Sequence, residues 1–310
     1  MTLLDRPLRA AILAASENAF VRRTVTRYGM RLGARRFVAG QSVEEFLPVV
    51  REVNARGFAV AATLLGESVA DRAEAVAVTD QYCSLLRQFA QDGLDANVAF
   101  KLTHVGLDID PELAYENASR IALAAQEQGN TVRMDMEQSR YVDPTLSIYR
   151  RLRAQTVAVG FVLQSYLYRS AGDLEALLPL SPSVRIVKGA YLEPPEIAYP
   201  DKSDVDEGYL RLVRSSFSHD GFTAIATHDP KIVATVEELA RAHGLPTRGR
   251  YEFQMLYGIC EPLARSLVQR GYRVRLAVPY GAYWFPYLMR RLAERPANVA
   301  FFLKGAFARR

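Results

Sequence analysis

The chain has 310 residues, 49% of them hydrophobic, enough to bury a sizeable core as one large domain or two small ones. Its 39 lysines and arginines against 34 acidic residues give a net charge of +5, but the basic residues are scattered among carboxylates, which reads as a solvated surface and argues against nucleic-acid binding. The two cysteines, Cys83 and Cys260, suggest neither a disulfide framework nor a metal cluster, so a reducing, cytoplasmic home is expected, and no apolar run approaches the ~20 residues of a membrane helix.

Residues 1–56 hold no good strand and read as an N-terminal helical segment of two or three helices. Its short apolar run Ala10–Ala15 is too brief for a signal core. Ser42 with Glu45 forms a capping-box pattern ahead of Phe46, Leu47 and Val50. From residue 57 to 310 the pattern alternates between strands and helices. Strand-like segments fall near 58–65, 96–102, 131–136, 157–163, 184–189, 221–227, 250–256 and 272–279. Helical stretches lie between them at 68–91, 111–128, 142–154, 203–217, 230–243 and 261–270. Asp110-Pro111, Asp229-Pro230 and Glu261-Pro262 mark entries, with proline in the first turn. Eight strand–helix units over about 250 residues are the size of a (β/α)8 barrel. A doubly wound sheet would advertise a phosphate loop such as G-x-G-x-x-G, and none occurs. The expected fold is therefore α/β, a TIM-type barrel preceded by N-terminal helices. The longest irregular connection, Glu193 to Ser203, follows the fifth strand and would overhang the active face.

Six strands end on a polar residue or beside one: Lys101, Asp135, Gln164, Lys188-Gly189, Thr227-His228 and Gln254. A closed parallel barrel gathers such ends at one rim. Lysine is scarce here, only Lys101, Lys188, Lys202, Lys231 and Lys304, so two strand-end lysines are notable. The four histidines, His104, His219, His228 and His243, have no ligand spacing, which argues against a catalytic metal. No G-x-S-x-G presents a serine nucleophile. What remains is a cationic rim suited to an anionic ligand. Gly189 and Ala190 let backbone approach closely, and Thr227-His228 precede a helix start able to hold phosphate. The same residues also read as strand ends satisfying one another by ion pairs. Near the C-terminus, Pro286 sets a helix start, which puts Tyr287 and Arg291 at i and i+4 on one face with Arg290 beside them. That face suits a small apolar carboxylate; it also reads as an amphipathic helix with a basic edge.

At these residues the sequence resembles the proline dehydrogenase family, in its compact monofunctional bacterial branch. The matching segments are Arg133-Met134-Asp135-Met136-Glu137, Arg185-Ile186-Val187-Lys188-Gly189-Ala190-Tyr191, Ala226-Thr227-His228, Tyr251 through Gly258, and Tyr287 through Glu294. The resemblance implies a distorted barrel with noncovalent FAD at the strand C-termini. It implies oxidation of L-proline to Δ1-pyrroline-5-carboxylate by hydride transfer from C5 to flavin N5, the first step of proline degradation to glutamate. Electrons would pass to a membrane quinone, with only peripheral contact at the inner face of the plasma membrane. By the same resemblance Arg185 lies near flavin N5 and Gln164 near the pyrimidine edge. Lys188, Gly189, Ala190, Thr227 and His228 hold the phosphate and adenosine side, with Met136 beside the flavin, Glu294 near the ribose and Val187 also in the cofactor site. Lys101, Arg290 and Arg291 clamp the proline carboxylate, while Leu256 and Tyr287 cover its ring. Asp135 matches the active-site carboxylate and is expected to pair with a neighbouring cation.

Two positions depart from the family pattern. Ala277 stands where a tyrosine is common on the eighth strand, which bears on ring selectivity. The first strand lacks an aspartate before Leu65-Gly66-Glu67, although Glu67 is retained and could pair with Arg290 or Arg291. Two other readings of the rim remain: a Schiff-base aldolase using Lys101 or Lys188, and a non-catalytic flavin-binding sensor. The length argues against fused aldehyde dehydrogenase or DNA-binding segments.

Overall fold

The computed structural model describes residues 18, 23, 25, 26, 29, 30, 33–66 and 68–294, and only the backbone of Arg290, Ala293 and Glu294. Glu67 and the side chains of Arg290 and Glu294, all named above, thus lie outside the described residues. Among the described residues, eight parallel strands pair in chain order and close, with β1 (Ala59–Leu64) joined to both β2 (Ala96–Lys101) and β8 (Val274–Tyr280). Between them run β3 (Val132–Asp135), β4 (Val159–Gln164), β5 (Ser183–Val187), β6 (Phe222–Ala226) and β7 (Tyr251–Leu256). This is the TIM-type barrel that the alternating pattern predicts.

Outward residues of the strands meet the surrounding helices. Phe100 lies 5.8 Å from Tyr82 on α2 (Arg72–Gln91), and Phe161 lies 4.4 Å from Tyr149 on α4 (Val142–Arg153). Tyr251 lies 5.4 Å from Phe217 on α6 (Lys202–Phe217). The wall also holds α3 (Pro111–Glu127), α7 (Pro230–Ala242) and α8 (Glu261–Gln269). Asp110 and Asp229 cap α3 and α7 by accepting from the N–H groups of Glu112 and Lys231, one residue beyond each first-turn proline. A short helix, α5 (Ser170–Glu175), follows β4; at under two turns it carries too little periodicity to read from sequence.

The distortion lies at the seam. Helix α1 (Val43–Ala55) precedes β1 and sits between α8 and α2. Arg51 pairs with Asp92 at the foot of α2 at 2.6 Å, Arg56 pairs with Glu261 of α8, and Phe46 stacks 4.3 Å from Tyr280 of β8. Thus α1 fills the wall position that the helix after β8 would take. The C-terminal helix α9 (Trp284–Glu294) is left to pack elsewhere: Trp284, Phe285, Leu288, Met289 and Leu292 bury with Met30, Phe37, Val38, Leu65 and Ile259. Leu65 and Ile259 follow the C-terminal ends of β1 and β7, so α9 lies at the active rim. The capping box reads only in part: Ser42 occupies the N-cap position without capping a backbone N–H through its side chain, while Glu45 accepts from the Gln41 N–H at 3.1 Å.

The alternate strand residues face the lumen, where small groups (Ala61, Ala99, Gly160, Ala224) sit beside charged ones. Glu252 accepts from Arg275 at 2.7 Å and from Arg273 at 3.0 Å, and Arg275 also donates to the Val60 carbonyl. Burial alone would raise the Glu252 carboxyl, but the Arg275 guanidinium and its hydrogen bonds hold it below the usual range. Removing one partner of a buried pair costs about 3–5 kcal/mol. Glu252→Ala is therefore expected to lower stability by that order in urea unfolding, and an unchanged midpoint would contradict the role given to the pair. With the folded value depressed, this contribution is present above the ordinary glutamate value of ~4.3 and is lost as pH falls through the lowered one.

Candidate active site

Lys101, Asp135, Gln164, Val187 and Leu256 are the last residues of β2, β3, β4, β5 and β7. Lys101 and Asp135 are neighbours in register, as are Gln164 and Val187. Asp135 accepts a charge-assisted hydrogen bond from Nη2 of Arg185, across β4, with the two side chains only 18% and 13% exposed. The Nε of Arg185 is buried and has no acceptor among the described residues, a donor held in place at the rim. Just past β3, Met136 is buried, and Gln164 donates to the Glu137 carbonyl at 2.9 Å. The buried Glu137 carboxylate accepts from the backbone N–H and the hydroxyl of Thr103, at 3.3 and 2.8 Å. That bond ties the loops after β2 and β3 together.

Strand β5 ends one residue before Lys188, so Lys188, Gly189 and Ala190 open the connection to α6. Gly189 has φ +122°, and a Cβ there would collide with the Tyr166 ring; only glycine suits both demands. Tyr166 is buried against this turn, and burial, then Glu193, pushes its phenol up to about 12. Glu193 accepts from the N–H and the hydroxyl of Ser139 at 2.7 Å each, and the Tyr199 N–H donates to the Tyr166 carbonyl. The irregular segment that was expected to overhang the face is thus tied across the loops after β3 and β4. Ala190 is exposed.

Lys188 sits between Asp206 of α6 at 2.5 Å and Asp229 at 3.5 Å, and Lys202 shares both carboxylates. Burial would raise both carboxyls, yet hydrogen bonds and the two ammonium groups hold them low. Lys188 is thus held in a cluster of two lysines and two aspartates. His228 accepts from the Leu256 N–H at 2.9 Å, and the Thr227 hydroxyl accepts from the Asp229 N–H at 3.1 Å. The N-terminus of α7 is not open backbone alone, because the Asp229 carboxylate already takes the Lys231 N–H.

On α9, the Arg291 guanidinium lies 5.4 Å from the Tyr287 ring centroid, the i, i+4 pairing read from the sequence. Leu256 and Tyr287 flank the same apolar cluster, which brings a strand end and the C-terminal helix together. Sequence reasoning gave no role to Asp206, Glu137 or Tyr166. Glu137 stood inside a quoted motif, and its nearness to Asp135 was the available signal. Asp206 showed only an ordinary i, i+4 pairing with Lys202, and Tyr166 gave none, because Lys188 and Glu193, which bring them to the site, lie far away in the chain.

A family model described as "Proline dehydrogenase" matches residues 46–304. The chain belongs to the proline dehydrogenase family. Proline dehydrogenase of Deinococcus radiodurans is 41% identical over 308 residues, 98% of this chain and 99% of the relative. Proline dehydrogenase 1 of Bacillus subtilis is 40% identical over 298 residues, 96% of this chain and 98% of the relative. Among solved structures, proline utilization A from Bdellovibrio bacteriovorus superposes with a TM-score of 0.79 at 23% identity, over 91% of this chain and 38% of that one. The same protein from Corynebacterium freiburgense gives 0.74 at 24% identity, over 98% and 35%. These two share the fold, and this chain spans about a third of their length. As a proline dehydrogenase the chain is an oxidoreductase, a family in which bound flavin is expected.

The Gly189 turn is open to direct test. Gly189→Ala combines a positive-φ strain of about 1–3 kcal/mol with the Tyr166 collision. It should lower thermal stability and expose the 188–201 connection to limited proteolysis. Adding Tyr166→Ala should relieve only the collision. A Gly189→Ala variant that melts and resists protease like the parent would contradict this account of the turn.

Proposed function

We propose that this proline dehydrogenase oxidises L-proline to Δ1-pyrroline-5-carboxylate with FAD at the strand C-termini, as the first step of proline degradation to glutamate. The observation that carries the reading is the convergence at one rim of Lys101, the Asp135–Arg185 pair, and Leu256 with the Tyr287–Arg291 face of α9. The residues suit FAD: the buried Arg185 Nε is an unused donor at the rim, and the Gly189 turn offers backbone without a side chain. When bound, the flavin supplies the acceptor for a hydride from proline C5.

Arg185 would lie on the flavin N5 side and Gln164 near the pyrimidine edge, with Met136 beside the flavin and Val187 also lining the cofactor site. Lys188, Gly189, Ala190, Thr227 and His228 hold the phosphate and adenosine side, and Glu294 the ribose. Were Lys188 to turn to a phosphate, Lys202 would still contact both Asp206 and Asp229 and offset part of their charge. Lys101, Arg290 and Arg291 hold the substrate carboxylate, and Leu256 and Tyr287 cover the ring. That clamp fixes the reacting carbon against the cofactor, a proximity effect. The crowd of cations disfavours a protonated amine, leaving the lone pair free to form the C=N bond. Asp135 keeps Arg185 oriented, and the Arg185 donor is aimed where negative charge develops.

Electrons leave to a membrane quinone. No dinucleotide fingerprint supports NAD, and no helix among the described residues is long and apolar enough to cross a membrane, so the contact is peripheral. The expected outcome for the purified protein is a yellow flavin spectrum that bleaches anaerobically with L-proline, is restored by a soluble quinone, and forms no NADH. A protein that neither carries nor takes up FAD would overturn the reading. For the clamp, a lost charge-assisted hydrogen bond is worth ~1.5–3 kcal/mol, or roughly ten- to a hundredfold. Arg291→Met should lower kcat/KM by that factor with FAD content unchanged. Parental kinetics would remove α9 from the substrate site.

A further inference from the structure

Beneath the Asp135–Arg185 pair lies a second rung across the lumen that the reading above does not use. Arg133 and Asp135 are two apart on β3, and Ser183 and Arg185 two apart on β5, so each pair shares the lumen face. Arg133 crosses β4 as Asp135 does. It donates to the Ser183 carbonyl at 3.1 Å, the Ser183 hydroxyl at 3.0 Å and the Phe161 carbonyl at 3.1 Å. The crossing needs Gly160: a Cβ there would lie 2.8 Å from Arg133 Nη1 and 2.7 Å from the Ser183 carbonyl oxygen.

The upper rung balances a guanidinium with a carboxylate; the lower does not. Arg133 is 6% exposed, and every hydrogen-bond partner it has is neutral. Arg273 and Arg275, lower in the barrel, share Glu252 and reach Asp95. Among the described residues, Arg133 forms no such ion pair. Buried charges without a counterion are costly and scarce, yet this chain builds a site for one with a glycine, a serine and two carbonyls. Burial and repulsion from Arg185 pull the Arg133 pKa down to about 9, which leaves it charged at neutral pH. Arg133 interacts electrostatically with Glu252 and Arg275 below it as well as with Arg185 and Asp135 at the rim, so its charge is felt at the rim across a buried stretch of lumen, where screening is weaker than in water.

We propose that Arg133 is an electrostatic positioning residue: a lumen cation one rung below Asp135 and Arg185 that keeps the rim net positive toward an anionic ligand. For the flavin this deepens, and rests on, the function proposed above. The charge favours a bound carboxylate, disfavours a protonated amine beside it, and favours negative charge on the cofactor edge near Arg185.

The test separates charge from architecture, using the full chain and two readouts. One is the Kd for cyclopentanecarboxylate, which lacks the oxidisable amine and can be read with or without flavin. The other is the two-electron midpoint potential of bound FAD. Arg133→Gln should weaken carboxylate binding about tenfold and lower the potential by ~30 mV, the shift equivalent to tenfold. Arg133→Lys, which keeps the charge and loses the fork of hydrogen bonds, should stay close to the parent in both. A Gln variant matching the parent, or Gln and Lys variants shifted alike, would overturn the proposal. Should neither fold, Ser183→Asp neutralises Arg133 in place and should reproduce the Gln shifts, while Ser183→Ala should not. An Asp variant with parental values would also overturn it. If the chain proves not to bind FAD, the function proposed above fails, and carboxylate binding still decides the charge effect.

Discussion

The site depends on which helix fills the wall beside β8. A (β/α)8 barrel needs eight helices around its sheet, and here the chain supplies one of them from before the first strand. With Phe46 stacked on Tyr280 and Arg56 paired to Glu261, α1 closes the gap between α8 and α2. The helix after β8 then has no place on the wall. Its apolar face, led by the fully buried Trp284 and Leu288, packs instead beside Leu65 and Ile259 at the C-terminal rim. Tyr287 lies against the same apolar cluster as Leu256 of β7 because α1 takes the wall position that α9 would otherwise fill.

The lumen below the rim is organised by charge as much as by packing. Glu252 holds Arg275 and Arg273 near the bottom, Arg133 crosses to Ser183 in the middle, and Asp135 fixes Arg185 at the top. Small residues, Ala61, Ala99, Gly160 and Ala224, make room for these long side chains. Ala277, where the family pattern has a tyrosine, also faces the lumen and pairs in register with Leu256. Its methyl leaves less bulk beside Leu256 than a larger side chain would.

Much of this was legible in the sequence. Strand limits agree within about three residues at each end, because β-branched and small apolar runs bounded by proline entries leave little choice of period. The strand-end residues Lys101, Asp135 and Gln164 fall at their predicted places, since an alternating strand that ends on a polar residue places it at the mouth of a barrel. Three things stayed hidden for physical reasons. The amphipathic pattern of α1 says that one face is buried but not against what, so its use as the eighth wall helix could not be read. The partners of Lys188 lie 18 and 41 residues away, on α6 and at the cap of α7. Arg133 looked like an ordinary strand residue, because nothing local marks a guanidinium that crosses a lumen over a distant glycine.

The central claim is that a strand end and the displaced helix meet on one small carboxylate. A double-mutant cycle on kcat/KM for proline, with Lys101→Met, Arg291→Met and the pair, tests it most directly. Groups that hold one ligand couple by about 0.5–3 kcal/mol. The double variant should therefore lose clearly less than the product of the two single losses, with FAD content unchanged in all three. Losses that simply multiply would mean that Lys101 and Arg291 act on separate features, and the convergence of β2 and α9 on the substrate would be contradicted.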